Sequence, residues 1–426
     1  MRDLNKRTAT WNELRGGWPT LLGCTLGVAV GVAGLAFYTT GVFVRSLRTE
    51  FGWTLSELSA ASLVSTLVIV LCAPIAGLGI DRWGVRLPAA FSMAALALGF
   101  VALATMSGSF SQYLLIQILM FGFAVASTPV SFTRAVNEHF DVARGLALGL
   151  TLSGTGITAF LAPPAVAKII VAHGWRAAYF QMAAVVALAI PAVFYLLRPR
   201  SNQTSTLVAF VPAPTDTNPE PLTFAVMLAD ARFLRLLVIF LVLALGVSGF
   251  VLHLIPMLTD AGMPAVEAAG IQARLGLAVI VGRLTVGAAV DQFFAPRVAA
   301  LSLCLTVAGI VALAIAGPSV APLSAFAIGF ALGAEVDLIG YLTVRYFGLA
   351  HYGRRYGVLY GAFILGTGFS PLLISSIAEH FGGYRPALWT CGSLVTIAAL
   401  LLVTAPRFVT SSRQAAISSP AARASI

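Results

Sequence analysis

The stretch from Ile271 to Arg297 reads IQARLGLAVIVGRLTVGAAVDQFFAPR, and it decides the class of the fold. Its central part is almost wholly Leu, Ala, Val, Ile and Gly, which is typical of a membrane-spanning helix. Arg283 lies about two turns inside this apolar run, where an unpaired guanidinium costs at least about 2.5–3.5 kcal/mol. Such a residue usually faces a wet cavity or a partner, so we interpret Arg283 as a candidate functional residue.

The composition indicates a polytopic membrane protein. Of the 426 residues, 59 % are hydrophobic and 10 % are charged, whereas soluble domains carry about 25 % charged residues. The net charge of +10 fits the positive-inside bias of membrane proteins, and no basic patch interleaved with aromatic residues indicates nucleic-acid binding. No catalytic triad, metal-ligand spacing or phosphate-binding loop is present in the sequence, so we expect neither an enzyme nor a bound cofactor or metal.

Apolar runs of about 20 residues predict an all-α membrane protein with twelve transmembrane helices. The predicted spans are 18–44, 55–79, 87–107, 111–136, 144–171, 176–198, 233–259, 265–290, 297–317, 319–345, 355–379 and 385–406. The one long connection is Pro/Thr-rich and polar, which is typical of a linker. The predicted units are therefore an N-terminal six-helix bundle (1–198), a cytoplasmic linker (199–231), a C-terminal six-helix bundle (232–407) and a disordered cytoplasmic tail (408–426).

The distribution of Arg and Lys predicts the orientation. With the N-terminus inside, seventeen of these residues fall in inner segments and four in outer segments. This asymmetry favours cytoplasmic termini, and we expect the chain to lie in a bacterial cytoplasmic membrane.

The two halves of the chain repeat each other. Gly77-x3-Asp81 recurs as Gly287-x3-Asp291, and Arg134-x9-Arg144 recurs as Arg345-x9-Arg355. Glycines also recur in the same order, Gly145, Gly149, Gly154 and Gly156 matching Gly357, Gly361, Gly366 and Gly368. Two parallel six-helix repeats with the substrate between them form a transporter architecture, in which the halves rock to give alternating access. The Gly145-x3-Gly149 and Gly357-x3-Gly361 pairs predict close helix packing.

A known family carries similar motifs. Gly77-Leu-Gly-Ile-Asp81-Arg82-Trp-Gly84-Val-Arg86 resembles the helix 2–3 loop signature of the major facilitator superfamily. Segments resembling its monocarboxylate-porter and oxalate–formate-antiporter group are Glu50-Phe-Gly-Trp53, Phe140-Asp-Val-Ala-Arg144-Gly-Leu-Ala-Leu-Gly149, Gly174-Trp-Arg176-Ala-Ala-Tyr179 and Glu335-Val-Asp337 followed by Arg345-Tyr-Phe-Gly348.

The resemblance implies a role for Arg283, because in that group a helix 8 arginine pairs with the substrate carboxylate. A planar guanidinium offers two parallel donors to a carboxylate. The alternative is a structural arginine that pairs with Glu335 or Asp337, and both roles are compatible. The chain departs from the group at Tyr38, where animal porters have a lysine, and at Val279, where they have an acid. No Lys or Arg occurs in 356–379, where the oxalate antiporters have a second cation, which favours a monocarboxylate over a dicarboxylate.

Other polar residues are predicted to lie within spans. Glu335 and Asp337 are candidates for proton coupling, with Glu335 preferred, or else charge partners of Arg283 or Arg345; being two apart, they point to different helix faces. Tyr38, Tyr341 and His253 are candidate substrate-binding residues, each with the alternative of a structural side chain.

The candidate gating and motif residues lie towards the predicted inner ends of the helices. We expect Asp81 and Asp291 to form ion pairs with Arg144 and Arg355 that close the inner side. Arg134 and its repeat mate Arg345 are further candidates for gating. Gly77, Arg82, Gly84 and Arg86 complete the loop signature.

These observations predict a secondary transporter for small organic monocarboxylates, coupled to protons and functional as a monomer in the lipid bilayer. Two alternatives stay open. One is efflux of larger amphipathic compounds, with little dependence on Arg283. The other is a non-transporting sensor on the same scaffold.

Overall fold

The computed structural model of the chain describes residues 2–140, 143–198, 224–347 and 352–408, and these residues form helices without any β-strand. The predicted linker lies outside the described residues up to 223, as does the predicted tail from 409 onward. Residues Phe224–Ala229 form a short helix at the end of the predicted linker. Phe408, assigned from sequence to the tail, packs on Phe294 and Tyr346 with ring centroids 4.9 Å away in each case.

Seven helices make up the first half. They are α1 (Arg2–Val30), α2 (Phe37–Phe51), α3 (Leu55–Trp83), α4 (Arg86–Thr105), α5 (Phe110–Phe123), α6 (Pro129–His139) and α7 (Arg144–Leu196). The short α8 (Phe224–Ala229) then leads into the second half. That half contains α9 (Ala231–Val247), α10 (Phe250–Asp260), α11 (Ala265–Gln292), α12 (Ala295–Ala316), α13 (Ala321–Phe347), α14 (Tyr352–Phe381) and α15 (Tyr384–Val403).

The helices that the structure describes make twelve passes through an apolar layer. Nine of its helical stretches are long and apolar enough to span a membrane. Two of them, Leu146–Leu196 with 51 residues and Ala295–Phe347 with 53, each contain two passes, because about 75 Å of straight helix exceeds an apolar layer of about 30 Å. The chain reverses at Gly174 (φ 83°) in the first stretch and at Gly317 (φ 65°) in the second. The remaining pass combines the apolar α5 with α6.

Three passes are interrupted, and side chains from other helices bind the freed backbone N–H groups. At the α1–α2 break, the Val32 amide donates to Ser127 Oγ over 3.4 Å. At the α5–α6 break, the Ala126 amide donates to Ser92 Oγ over 3.1 Å. At the α9–α10 break, the Gly249 amide donates to Ser370 Oγ over 2.8 Å. Because a bilayer offers no water to these amides, such hydroxyls make the breaks tolerable.

The two halves meet at one end of the bundle. By the predicted orientation, we call the end that holds Trp53 the outer end and the end that holds Arg86 the inner end. At the outer end, Arg48 in α2 lies 3.4 Å from the Asp260 carboxylate that ends α10. Nearby, the Ser56 amide in α3 donates to Glu379 Oε1 of α14 over 2.9 Å, and the Ser56 hydroxyl donates to Glu379 Oε2.

Towards the inner end, glycines on helices of both halves are uncrowded among the described residues. A methyl group placed on Gly149, Gly287, Gly357 or Gly361 would meet no described atom within 4 Å. Among the described residues, the polar contacts between the halves lie towards the outer end, and we interpret this as an inward-facing arrangement in the predicted orientation.

Candidate functional site

Glycines bring α11 and α13 into close contact and so position the site. Methyl groups on Gly329 and Gly333 of α13 would lie 2.2 Å from the backbone oxygens of Leu275 and Val279, respectively, in α11. In the reciprocal contact, a methyl group on Gly282 of α11 would lie at the same distance from the Phe330 oxygen. Only residues without a side chain permit this approach, and it fixes which face of α13 is turned towards Arg283.

Arg283 forms an ion pair with Asp337 across these two helices. Its Nε donates to Asp337 Oδ2 over 3.1 Å. The arginine side chain is 10 % exposed and the aspartate side chain 42 % exposed. Arg283 Nη1 is buried and has no hydrogen-bond partner among the described residues. The guanidinium therefore has one carboxylate partner, and at least one of its nitrogens makes no hydrogen bond to a described residue.

A cavity of about 140 Å³ begins at this pair and lies along α11 and α13. One face of each helix lines it, with residues at positions i, i+3, i+4 and i+7. These are Arg283, Val286, Gly287 and Val290 of α11 and Ala334, Asp337, Leu338 and Tyr341 of α13. Both helices run from the outer to the inner end, so Arg283 and Ala334 lie at the deep end and Val290 and Tyr341 at the inner end.

Glu335 points away from this cavity. Its side chain is 1 % exposed, and both carboxyl oxygens lack a hydrogen-bond partner among the described residues. It borders a separate void of about 10 Å³, lined mainly by apolar residues of α9, α12, α13 and α15. Such a void is at the lower limit for a single water molecule. Of the two predicted acidic residues, Asp337 and not Glu335 contacts Arg283.

The two tyrosines occupy different positions. Tyr341 lines the cavity, but its hydroxyl donates to the Val290 oxygen over 2.7 Å and accepts from Arg345 Nη2 over 3.0 Å. Tyr38 is buried in α2, close enough to Arg283 and Glu335 to interact electrostatically with both. The backbone oxygen of Tyr38 accepts from Gln272 Nε2 over 3.0 Å. Tyr341 therefore belongs to the inner end of the cavity, and Tyr38 to the contact between the halves.

His253 lies outside the cavity, in the buried contact between the halves. Its Nε2 is 2.8 Å from the Pro371 oxygen and 3.3 Å from Ser59 Oγ. Because the Ser59 hydroxyl donates to the Leu55 oxygen, His253 Nε2 carries the proton and donates to both oxygens. The structure therefore gives this histidine the hydrogen-bonded structural position considered from the sequence.

The structure describes the side chains of only some of the predicted gating residues. The side chains of Asp81, Arg144 and Asp291 lie outside the described residues, so their expected ion pairs stay predictions. Arg355 Nη1 lies 3.4 Å from the Phe347 oxygen, and its guanidinium stacks 4.9 Å from the Phe347 ring centre. Arg134 pairs with Glu138 on its own helix at 2.9 Å.

The loop signature organises the turn between α3 and α4. Gly84 follows α3 with φ 71°, a conformation that residues with a side chain rarely adopt. Arg86 Nε donates to the Phe194 oxygen over 2.7 Å, and its guanidinium lies 3.5 Å from the Phe194 ring centre. Arg82 lies 5.7 Å from the centre of the Trp83 ring. The motif thus joins this turn to the end of α7.

Close packing occurs at other glycines than those predicted. A methyl group on Gly149, Gly357 or Gly361 would have no described neighbour within 4 Å, whereas Gly276 packs against Ala159 and Gly333 against Val279. The expected close packing is therefore not seen at Gly149, Gly357 or Gly361, and Gly145 lies outside the residues whose surroundings the structure describes.

Several contacts between the halves carry no recognisable sequence signal. Arg48, Asp260, Ser56 and Glu379 are polar residues at helix ends, where polar residues are common. Gln272 is different, since a buried amide in an apolar helix is conspicuous in the sequence and marks a structural contact here.

Comparisons with known proteins agree with this architecture. A family model described as the Major Facilitator Superfamily matches residues 26–336. Human monocarboxylate transporter 11 is 24 % identical over 412 residues, covering 92 % of this chain and 84 % of that protein. Monocarboxylate transporter 12 of Xenopus laevis is 23 % identical over 410 residues, covering 91 % and 88 %. The crystal structure of a D-xylose-proton symporter is similar with a TM-score of 0.69 at 14 % identity, covering 92 % of this chain and 98 % of that one.

Proposed function

We propose that this chain, which belongs to the Major Facilitator Superfamily, carries small organic monocarboxylates across a membrane, with Arg283 binding the carboxylate. The family and the similarity to monocarboxylate transporters make the chain a membrane transporter rather than an enzyme. We further propose that transport is coupled to protons, that both termini lie inside and that the chain works as a monomer.

The arrangement of Arg283 carries the proposal. Its Nη1 is buried without an acceptor among the described residues, and the side chain borders the cavity along α11 and α13. A buried donor without an acceptor costs about 1–3 kcal/mol, and more when it is charged. A substrate carboxylate at the deep end of the cavity would supply the missing acceptor and bind the planar guanidinium through two hydrogen bonds.

Asp337 supplies a route to proton coupling. While Asp337 is ionised, it neutralises Arg283, and a second carboxylate would add an unbalanced negative charge in an apolar region. A proton on Asp337 removes this conflict, because the substrate then becomes the counter-ion of Arg283. One proton and one carboxylate would therefore bind together, and the loaded site would have the same net charge as the empty one.

The dimensions of the cavity favour a small acid over a large amphipathic compound. A volume of about 140 Å³ suits an acid that carries one small substituent beyond the carboxylate at Arg283. The efflux alternative would need a wider apolar cavity and little dependence on this arginine. The polar contacts between the halves at the outer end suit a transporter in which the halves rock to give alternating access.

Uptake by proteoliposomes tests the proposal. We expect wild-type protein to take up monocarboxylates such as pyruvate when the side from which they enter is acidic. Arg283→Ala abolishes this uptake, while Arg274→Ala, which removes an exposed arginine of the same helix, leaves it intact. Equal uptake by the Arg283→Ala and Arg274→Ala proteins would reject the carboxylate assignment.

A further inference from the structure

Beyond the Arg283–Asp337 pair, the described wall of the cavity is apolar except for Tyr341. Val286 and Val290 of α11 face Ala334 and Leu338 of α13. The one hydroxyl in the described lining, that of Tyr341, is occupied by the Val290 oxygen and by Arg345. A polar substituent on the substrate would therefore lose its hydrogen bonds to water without replacing them, whereas an apolar substituent would gain from burial.

The dimensions of this wall match one ring. From Arg283 to Val290 is seven residues, or about 10 Å along the helix axis. The cavity volume of about 140 Å³ is close to that of an apolar cavity of about 150 Å³ that binds benzene. With its carboxylate at the deep end, a substrate would place a single ring-sized or branched aliphatic group along the wall.

Gly287 sets the width at the middle of the wall. It lines the cavity, and a methyl group in place of its hydrogen would meet no described atom within 4 Å. Space that a side chain would occupy is thus left open to the substrate. Since Gly287 is helical and uncrowded, a larger residue there would narrow the cavity without displacing its neighbours.

We propose that the substrates are monocarboxylates that carry one ring-sized apolar substituent, and that Gly287 is the residue that admits this substituent. This proposal rests on the proposed function, because it takes Arg283 as the carboxylate site. It goes further in excluding the smallest acids, such as pyruvate itself, as the preferred substrates.

Binding to the detergent-solubilised full-length protein tests this preference with a matched pair of acids, pyruvate and phenylpyruvate, which differ only by a phenyl ring. Burial of the ring predicts at least about tenfold tighter binding of phenylpyruvate to the wild type. Gly287→Val removes most of that advantage and leaves pyruvate binding within about threefold. Gly77→Val is the control, because Gly77 is the repeat mate of Gly287 and is equally uncrowded, but lies outside the cavity; it leaves the ratio of the two affinities unchanged.

A second variant tests the size limit from the opposite direction. Leu338→Ala enlarges the cavity and shifts the preference from phenylpyruvate towards indole-3-pyruvate. Equal affinities for pyruvate and phenylpyruvate, unchanged in both the Gly287→Val and Leu338→Ala proteins, would overturn the inference. If the two acids bound equally but binding still required Arg283, the proposed function would stand and only the preference for a ring-sized substituent would fall. Binding that did not require Arg283 would reject both the proposed function and this preference.

Discussion

The Arg283 guanidinium and the Asp337 carboxylate form an ion pair between α11 and α13, with Nε 3.1 Å from Oδ2, at the deep end of a cavity. Asp337 is the more exposed partner, with 42 % of its side chain accessible against 10 % for Arg283. Asp337 is therefore the partner that is more open to proton exchange with water. In the proposed cycle, a substrate carboxylate replaces Asp337 as the counter-ion of Arg283.

Asp337→Asn should remove the pH dependence of binding. In the wild type, monocarboxylate affinity falls as pH rises, because Asp337 loses its proton and competes for Arg283. Asparagine cannot ionise, so the affinity of the variant stays constant and matches that of the wild type at low pH. Binding titrations at several pH values measure the effect.

Glu335→Gln is the matched control for that experiment, since Glu335 lies two residues away and faces the separate void. We expect this variant to keep the wild-type pH profile. A flat profile in Glu335→Gln together with a normal profile in Asp337→Asn would assign the proton to Glu335 instead.

The outer contacts should hold the inward-facing state. Arg48 and Asp260 are 38 % and 45 % exposed, so their pair contributes about 1 kcal/mol or less, and the Ser56–Glu379 contact adds to it. Arg48→Ala combined with Glu379→Gln should shift the population several-fold towards the outward-facing state. Labelling of a cysteine at position 59 reports this shift, because Ser59 is buried between the halves. The Ser59→Cys substitution is made in protein from which the four native cysteines have been removed.

A membrane-impermeant maleimide added from outside should label this reporter several-fold faster in the double variant. Arg176→Ala is the control, because Arg176 pairs with Glu50 at 2.6 Å at the same end but within one half. Acceleration by Arg176→Ala as large as that by the double variant would show that general loosening, and not the inter-half contacts, causes the labelling.

Gly333→Ala should destabilise the protein and weaken substrate binding. Its methyl group would lie 2.2 Å from the Val279 oxygen, so α13 must move away from α11. Such overpacking typically costs about 1–3 kcal/mol, which a thermal melt in detergent detects as a lower Tm. Gly361→Ala has open space and a better helix former, so its Tm is unchanged or higher. A normal Tm and normal binding in Gly333→Ala would refute the packing argument.

Much of the fold follows from the sequence, because length and apolar composition determine where a helix can span. The predicted span 265–290 corresponds to Ala265–Gln292, and 385–406 corresponds to Tyr384–Val403. The helix breaks were not predicted. The amide of Gly249, for example, binds Ser370, which is 121 residues away in sequence, and no local pattern indicates such a contact.

The sequence was sufficient to identify the charged residues of the site. Arg283 stands out as a cation in an apolar run, and Asp337 and Glu335 as acids in another. Which acid reaches the arginine depends on the rotation of α13 about its axis, and contacts such as that of Gly333 with Val279 fix this rotation. The spacing of these residues is visible in the sequence, but the pairing of α11 with α13 is not.

The central claim concerns the counter-ion of Arg283, and a structure determined with bound phenylpyruvate or pyruvate at low pH measures it most directly. We predict a carboxylate oxygen within hydrogen-bonding distance of the Arg283 guanidinium, with Asp337 Oδ2 farther from Arg283 Nε than the present 3.1 Å. A carboxylate bound elsewhere, with the Arg283–Asp337 pair unchanged, would contradict the account.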